Sequence, residues 1–263
     1  MRERVNTYVE EYGEGNPIIL LHGFTGDTTT MRALADALDG CGRRVLVDLI
    51  GHGKSEAPAW DAYMMSDAIG QVQAVAGALD ALPVLIGYSM GARVAVAAAT
   101  GGLEVRGLVT IGGRAGIADD EKRTLRRGAD NELADEIVAR GVEWFVEHWE
   151  RRPFYVSQHA LGAVHLARVR SQRLRNAPHA LAASLRGMGV GAQDPLHDLL
   201  PSVVAPALVI LGELDLDFRK YADELVGGFP HADLSVVPEA GHAAHVEAPA
   251  ETARRVRAFL TDI

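Results

Sequence analysis

The stretch at residues 87–91, Gly-Tyr-Ser-Met-Gly, constrains the fold of this chain more than any other. An apolar run at 83–86 leads straight into it, and an alanine-rich, helix-forming run at 92–99 follows. A serine flanked in this way predicts a nucleophile elbow, a tight strand-to-helix turn that presents the hydroxyl of Ser89. Such a turn leaves no room for side chains two positions on either side, which accounts for both glycines. The amide of Met90 would lie at the helix N-terminus, where it can support an oxyanion.

A second turn follows the apolar run at 17–21, where the sequence continues His22-Gly23-Phe24. A continuous apolar run of this kind is typical of a strand buried on both faces. We expect the turn after it to bring the amide of Phe24 to the top of the sheet. There it would complete an oxyanion hole with the amide of Met90.

The order of apolar runs and helical segments predicts an α/β fold with a doubly wound, mostly parallel sheet. Strand-like runs lie at 17–21, 43–49, 83–86, 105–111, 207–211 and 233–237. Helical spacing lies at 28–38, 66–82, 92–99 and 250–260. Residues 4–10 alternate weakly and, with the turn at 13–16, predict a short opening hairpin.

Residues 113–201 break this pattern. Strand signals vanish there, and helical spacing rich in arginine and acidic residues takes over at 119–140, 142–150, 160–174 and 180–187. A helical block between two strands of an open sheet lies above the carboxyl ends of the strands, so we expect an inserted helical lid. Residues 1–112 and 202–263 would then form the core of a single domain.

A serine nucleophile needs a base, and the base needs an acid that orients it. In an open α/β sheet both are expected where strands end. Asp215 follows the run at 207–211 and His242 follows the run at 233–237, and the order Ser, Asp, His is that of elbow-type enzymes. We therefore assign Asp215 as the acid and His242 as the base. The alternatives are Glu213 and Asp217 for the acid, and His245 and His22 for the base.

The charge of the chain narrows the class of ligand. A net charge of −9 argues against a nucleic-acid-binding protein. The 26 basic residues include only three lysines, and twelve of the arginines fall between Arg114 and Arg186. Arginine binds carboxylates at two points, so the cluster suggests a site for a polyanionic small molecule. Solvated helix faces, paired with nearby acidic residues, are the alternative explanation for most of these arginines.

The single cysteine, Cys41, excludes an internal disulfide and a cysteine-based metal site. The scattered histidines form no ligand pattern, so we expect neither a metal nor an organic cofactor. No apolar run approaches the roughly 20 residues of a membrane span, and no apolar stretch typical of a signal peptide follows the N-terminus. We therefore expect a cytoplasmic enzyme that is a monomer or a weak homo-oligomer.

These motifs together resemble the α/β-hydrolase family over nearly the whole chain. The resemblance is carried by the elbow, the His-Gly-Phe turn, the block at 48–55, Asp215 and the pair at 241–242. Within that family the chain is similar to the 2-succinyl-6-hydroxy-2,4-cyclohexadiene-1-carboxylate synthases of menaquinone biosynthesis. The narrower match rests on residues 21–26, 87–93, Trp149 ahead of 153–154, 181–186 and 241–245. That group commonly has Asp-x-Lys-Phe at the acid, whereas this chain has Asp-Leu-Asp-Phe at 215–218.

The resemblance implies an elimination and not a hydrolysis. Ser89, made basic by His242 and Asp215, would remove a proton from a cyclohexene that carries succinyl, carboxyl and enolpyruvyl groups, and pyruvate would leave without an acyl-enzyme. The three substrate carboxylates need cations. The motif match carries over, as substrate contacts, Tyr88, Arg93, Arg126, Trp149 and Arg173, with Arg127 and Arg175 as alternatives in the lid. A carboxylesterase or carbon–carbon bond hydrolase with the same triad is the alternative function, and a non-enzymatic receptor is the third.

Overall fold

A computed structural model describes residues 6–58 and 60–263 of the chain. Its strands are β1 (Val9–Tyr12), β2 (Pro17–Leu21), β3 (Arg43–Val47), β4 (Val84–Tyr88), β5 (Gly107–Ile111), β6 (Ala207–Gly212) and β7 (Ala232–Val237). They form one sheet in the order β1-β3-β2-β4-β5-β6-β7. Strands β2 to β7 run parallel to their neighbours, and β1 pairs antiparallel with β3. The expected mostly parallel α/β sheet is confirmed.

The central strands are buried along their whole length, as their apolar sequences require. The helices that cover them and the inserted block are α1 (Thr28–Ala37), α2 (Met65–Gly77), α3 (Met90–Thr100), α4 (Asp120–Glu150), α5 (Ala163–Arg173), α6 (Pro178–Met188), α7 (Arg219–Gly228), α8 (Ala244–Glu247) and α9 (Pro249–Asp262). Met31 of α1 and Val256 of α9 pack on one face of the sheet. Val72 of α2, Val94 of α3 and Leu225 of α7 pack on the other. The sheet is therefore wound on both faces.

Two details of the core differ from the sequence-based expectation. The opening hairpin is wrong, because β1 pairs with β3 and not with β2; residues 4 and 5 of that prediction lie outside the described residues. The helix predicted at 66–82 ends at Gly77. Residues 78–83 connect this helix to β4, which begins at Val84.

The chain between β5 and β6 forms helices and no strand. The segments predicted at 119–140 and 142–150 make up the two parts of α4, which meet at a kink at Gly141, where φ is 85° and ψ is 176° and the backbone is not helical. A 3₁₀ helix at Pro153–Leu161 was not expected from the sequence. Helices α4 and α6 share a small core of their own that includes Ile137, Phe145 and Leu181. Within the described part of the chain, no helix is long and apolar enough to cross a membrane.

Candidate active site

Ser89 sits in the turn between β4 and α3 with a strained backbone. Its φ is 50° and its ψ is −106°, outside the regions that a residue with a side chain usually adopts. A side chain at Gly87 would overlap the carbonyl group of Gly91, and one at Gly91 would overlap the carbonyl oxygen of Leu21. Both glycines are thus required by close backbone approach, as the elbow pattern predicts.

The structure brings Ser89, His242 and Asp215 together. Nε2 of His242 lies 3.0 Å from Oγ of Ser89, and Nδ1 of the same ring lies 2.7 Å from Oδ2 of Asp215. Asp215 follows β6 and His242 follows β7, so the parallel sheet delivers both to the edge where β4 ends. Their side chains are each only 4% exposed. This geometry is that of a serine made basic by an acid-oriented imidazole.

In the described part of the chain, none of the alternative acids and bases forms a hydrogen bond with Ser89 or His242. The carboxylate of Glu213 accepts a hydrogen bond from the amide of Glu239, and Asp217 lines the cavity beside Ser89 without bonding to His242. Nε2 of His22 accepts from the amide of Leu49 at 2.9 Å.

His245 is buried against the ring of Tyr88, with 4.4 Å between the ring centroids. Neither nitrogen of His245 has a hydrogen-bond partner among the described residues.

The two amides expected to form an oxyanion hole flank the serine. Met90 is the first residue of α3, and a side chain at Gly23, next to Phe24, would come within 3.4 Å of Cβ of Ser89. Main-chain amides beside a nucleophilic oxygen can stabilise negative charge on a bound oxygen.

A cavity of about 450 Å³ opens above Ser89. Aromatic side chains form much of its wall: Phe24, Tyr88, Trp149, Phe154, Tyr155, Phe218 and Tyr221. Cations outnumber carboxylates in the same lining, with Arg93, Arg114, Arg126, Arg152 and Lys220 set against Asp130 and Asp217. A cavity with this balance suits an organic anion with several carboxylates.

Arg93 lies one turn after Ser89 on α3 and is buried, with 9% of its surface exposed. Its Nη1 donates to Oε1 of Gln193 at 2.8 Å. Among the described residues it forms no ion pair with a carboxylate. Burial, followed by the nearby charges of Arg126 and Arg114, lowers the pKa of Arg93 from 12.5 to about 9, and the charge of Asp130 opposes this shift. The charged guanidinium is therefore destabilised where it lies.

The other predicted arginine contacts divide between two cavities. Arg126 lines the cavity at Ser89 and pairs with Asp130, with Nε 2.8 Å from Oδ1. Arg173 lines a neighbouring cavity of about 240 Å³, which shares Phe24, Tyr88 and Tyr155 with the first. Its guanidinium lies 4.3 Å from the centre of the Tyr155 ring and 3.2 Å from Glu150.

The alternative arginines, Arg127 and Arg175, line neither cavity. Nε of Arg127 donates to the carbonyl of Gly191 at 3.0 Å, and Arg175 pairs with Asp27 at 3.1 Å. Both side chains hold the insertion together or tie it to the core. The register chosen from the sequence is thus the one that places arginines at the cavities.

Several residues at the cavity or directly behind it have no counterpart in the sequence-based assignment. Arg114, whose guanidinium lies 3.7 Å from the centre of the Tyr221 ring, and Arg152 were counted only as members of the arginine cluster. Gln193, behind Arg93, carried no signal at all. In the described part of the chain, no group of three or more His, Cys, Asp or Glu side chains is arranged to hold a metal ion.

Comparison with known proteins agrees with this geometry. The sequence profile of the alpha/beta hydrolase family matches residues 18–255. A candidate 2-succinyl-6-hydroxy-2,4-cyclohexadiene-1-carboxylate synthase of Bacillus subtilis (strain 168) is 37% identical over 251 residues, which are 94% of this chain and 90% of that protein. The synthase of that name from Salmonella typhimurium (strain LT2) is 33% identical over 239 residues, 90% of each chain.

A solved structure gives the same result. MenH from S. aureus matches with a TM-score of 0.93 and 27% identity, over 97% of this chain and 98% of that one. The match extends through the helical insertion as well as the sheet, because almost the whole of both chains is covered. The chain therefore belongs to the alpha/beta hydrolase family, in the group that contains the 2-succinyl-6-hydroxy-2,4-cyclohexadiene-1-carboxylate synthases.

Proposed function

We propose that this protein is a 2-succinyl-6-hydroxy-2,4-cyclohexadiene-1-carboxylate synthase, which eliminates pyruvate from 2-succinyl-5-enolpyruvyl-6-hydroxy-3-cyclohexene-1-carboxylate. The observation that carries the proposal is Arg93, buried one helical turn from Ser89 with no carboxylate partner among the described residues. An enzyme for neutral esters would gain nothing from a desolvated, unpaired guanidinium beside its nucleophile. A polycarboxylate substrate supplies the missing partner, and the similar synthases share this chain's length and fold.

In the proposed reaction Ser89 is the base. Its hydroxyl proton passes to Nε2 of His242, and Oγ then takes the proton of a substrate C–H bond. The electron pair of that bond becomes part of the new ring double bond as the C–O bond to the enolpyruvyl group breaks. The departing enolate takes up the proton from His242 and leaves as pyruvate. Asp215, at Nδ1, orients the ring and stabilises its protonated form.

We assign the amides of Phe24 and Met90 to the oxyanion hole, where they would stabilise a substrate oxygen that gains negative charge as the proton is removed. We assign Arg93 and Arg126 to substrate carboxylates in the cavity at Ser89. Tyr88 and Trp149 would pack against the ring of the substrate. Arg173 would bind a third carboxylate only if that arm of the substrate passes Tyr155 into the neighbouring cavity.

We propose that residues 113–201 form a lid on a single-domain core of residues 1–112 and 202–263. The support for this is that α4 contributes Arg126 and Trp149 to the wall of the cavity, so that a displacement of α4 would open the cavity to substrate. A cytoplasmic location, a monomeric or weakly homo-oligomeric state, and activity without a metal or organic cofactor complete the proposal.

The test is a coupled assay for pyruvate. The purified protein is given the enolpyruvyl substrate with lactate dehydrogenase and NADH, and the conjugated diene is followed by its absorbance. We expect pyruvate and diene in equal amounts, no loss of rate with EDTA, and no product from a Ser89→Ala variant. A rate abolished by EDTA and restored by a divalent ion would contradict the cofactor-free mechanism.

The alternative functions give different results in the same experiment. A carboxylesterase or carbon–carbon bond hydrolase would cleave p-nitrophenyl acetate or a diketone and release no pyruvate. A receptor would bind the substrate and turn over none of these compounds. Either outcome would replace the synthase.

A further inference from the structure

Two cations in the cavity at Ser89 are held in different ways. Arg126 pairs with the carboxylate of Asp130, whereas Arg93 is held by the neutral side-chain amide of Gln193. Arg93 and Gln193 are both buried, with 9% and 2% of their surface exposed. A buried guanidinium is ordinarily stabilised by a carboxylate, so an amide at this position needs an explanation.

The orientation of the Gln193 amide follows from its neighbour. A guanidinium only donates hydrogen bonds, so Oε1 must face Arg93, and Nε2 is left without a partner among the described residues. An unsatisfied buried donor destabilises the folded state. Glutamate has the same length, would remove the orphaned donor and would neutralise Arg93. On stability alone the carboxylate would be the better residue.

Gln193 is presented by a turn that is fixed to α4. The backbone amide of Gln193 donates to the carbonyl of Gly189 at 3.1 Å, within the turn that follows α6. Arg127 and Asp130 of α4 hold both backbone groups of Gly191 in the same turn. The side-chain amide of Gln193 therefore projects from a fixed turn and forms a rigid contact with Arg93 of α3.

We propose that Gln193 is a specificity-determining positioning residue: its neutral amide orients the guanidinium of Arg93 and leaves the positive charge free for a substrate carboxylate. The inference rests on the proposed function for the identity of the substrate, but its binding arm needs only an organic polycarboxylate. Gln193 does not line the cavity and acts through Arg93. It favours anionic over neutral ligands because the charge beside Ser89 is not already cancelled.

Gln193→Glu and Gln193→Met separate charge from packing. The glutamate keeps the length and the hydrogen bond to Arg93 but cancels its charge. The methionine leaves the positive charge of Arg93 uncancelled and keeps much of the side-chain volume of Gln193. It removes the hydrogen bond that orients Arg93. Gln73→Glu, on the exposed face of α2, makes the same change in net charge far from the cavity and serves as the control.

The experiment measures KM and kcat for pyruvate release, the dissociation constant of the stable tricarboxylate tricarballylate by calorimetry, and the melting temperature. For Gln193→Glu we expect KM and the dissociation constant to rise about tenfold or more, with a melting temperature equal to or above that of the wild type. Gln193→Met should weaken binding less than Gln193→Glu. Gln73→Glu should match the wild type.

The outcomes that overturn the two proposals differ. A wild-type protein that binds tricarballylate but releases no pyruvate overturns the synthase function alone. A Gln193→Glu protein that binds tricarballylate as tightly as the wild type overturns the role of Gln193. So does a Gln193→Met protein that loses more affinity than Gln193→Glu, or that fails to bind because it does not fold, since the amide would then be a packing residue.

Discussion

Nε2 of His242 lies 3.0 Å from Oγ of Ser89, although the two residues are 153 positions apart in the chain. The imidazole is enclosed by aromatic rings, with Phe218 at 4.2 Å and Tyr88 at 5.4 Å between centroids. Its other nitrogen is held by Asp215. These contacts fix the orientation of the imidazole ring. The hydroxyl of Ser89 therefore lies next to an acceptor that is already in position.

We expect the triad to act as one unit in proton transfer. Ser89→Ala, His242→Ala and Asp215→Asn should each lower kcat for pyruvate release by about 10³-fold or more, because each removes part of one relay. Asp217→Asn, which changes the alternative acid in the same cavity, should have less than about a tenfold effect. The assay is steady-state pyruvate release, with circular dichroism to check that each variant is folded. Near-full activity of the Ser89→Ala protein would contradict the assignment of the triad.

The strained backbone at Ser89 gives a prediction about stability. A positive φ costs a residue with a side chain about 1–3 kcal/mol, and glycine adopts it freely. Ser89→Gly should therefore unfold at a higher denaturant concentration than Ser89→Ala, by about 1 kcal/mol in the free energy of unfolding. Both variants lack the hydroxyl, so the comparison is independent of activity. Equal stability of the pair would show that the turn holds no strain.

The elbow, Asp215 and His242 could be located from the sequence for one physical reason. Each follows an apolar run, and in a parallel sheet the carboxyl ends of all strands meet at one edge, so the topology places them together. The pairing of β1 had no such support. Its four residues are only partly buried, and nothing in them distinguishes β2 from β3 as the neighbour.

The insertion was less predictable, because its helices have no sheet to orient them. Arg126 and Arg173 were both expected at the substrate, yet they line two different cavities, which share the rings of Phe24, Tyr88 and Tyr155. The turn that carries Gln193 has no periodic pattern, and its contact with Arg93 joins residues 100 positions apart. Such contacts depend on how the segment between β5 and β6 packs against α3. The spacing of apolar residues along the sequence carries no information about that packing.

Arg93 should distinguish a polycarboxylate substrate from a neutral one. Arg93→Ala should reduce kcat/KM for the tricarboxylate substrate. The reduction should correspond to about 2–4 kcal/mol of lost transition-state stabilisation, as when one side of a buried charge pair is removed. Turnover of p-nitrophenyl acetate, if the wild type shows any, should change little. The melting temperature should fall only modestly, because the hydrogen bond to Gln193 is lost but no internal ion pair is. A variant that melts much earlier and keeps its preference for the carboxylated substrate would show Arg93 to be structural.

The two cavities allow a matched test of the lid arginines. Arg173→Met should raise KM by about tenfold if a carboxylate of the substrate reaches the second cavity. Glu150 would keep an ion pair with Arg170, whose Nη1 lies 2.7 Å away, so the fold should tolerate the change. Arg175→Met removes a similar side chain that lines neither cavity and should leave KM unchanged. An unchanged KM for Arg173→Met would restrict the substrate to the cavity at Ser89.

His245 should make the protein sensitive to acid. Burial, and to a lesser extent the nearby His242, lowers the pKa of His245 from 6.5 to about 3. Between these values the unfolded chain binds a proton at this residue and the folded chain does not, so the free energy of unfolding falls as the pH falls below 6.5. At pH 5 the loss from this one group is about 2 kcal/mol relative to neutral pH.

His245→Phe, which keeps a ring against Tyr88 and removes the titrating group, should reduce the loss of stability between pH 7 and pH 5 by that amount. Val246→Ala removes apolar side-chain atoms at the next residue and adds no charge, so its effect should be the same at both pH values. The measurement is urea unfolding of all three proteins at pH 7 and pH 5. Equal losses of stability for the wild type and His245→Phe would contradict the prediction. They would mean that His245 binds its proton in the folded state too, although its ring nitrogens have no hydrogen-bond partner among the described residues.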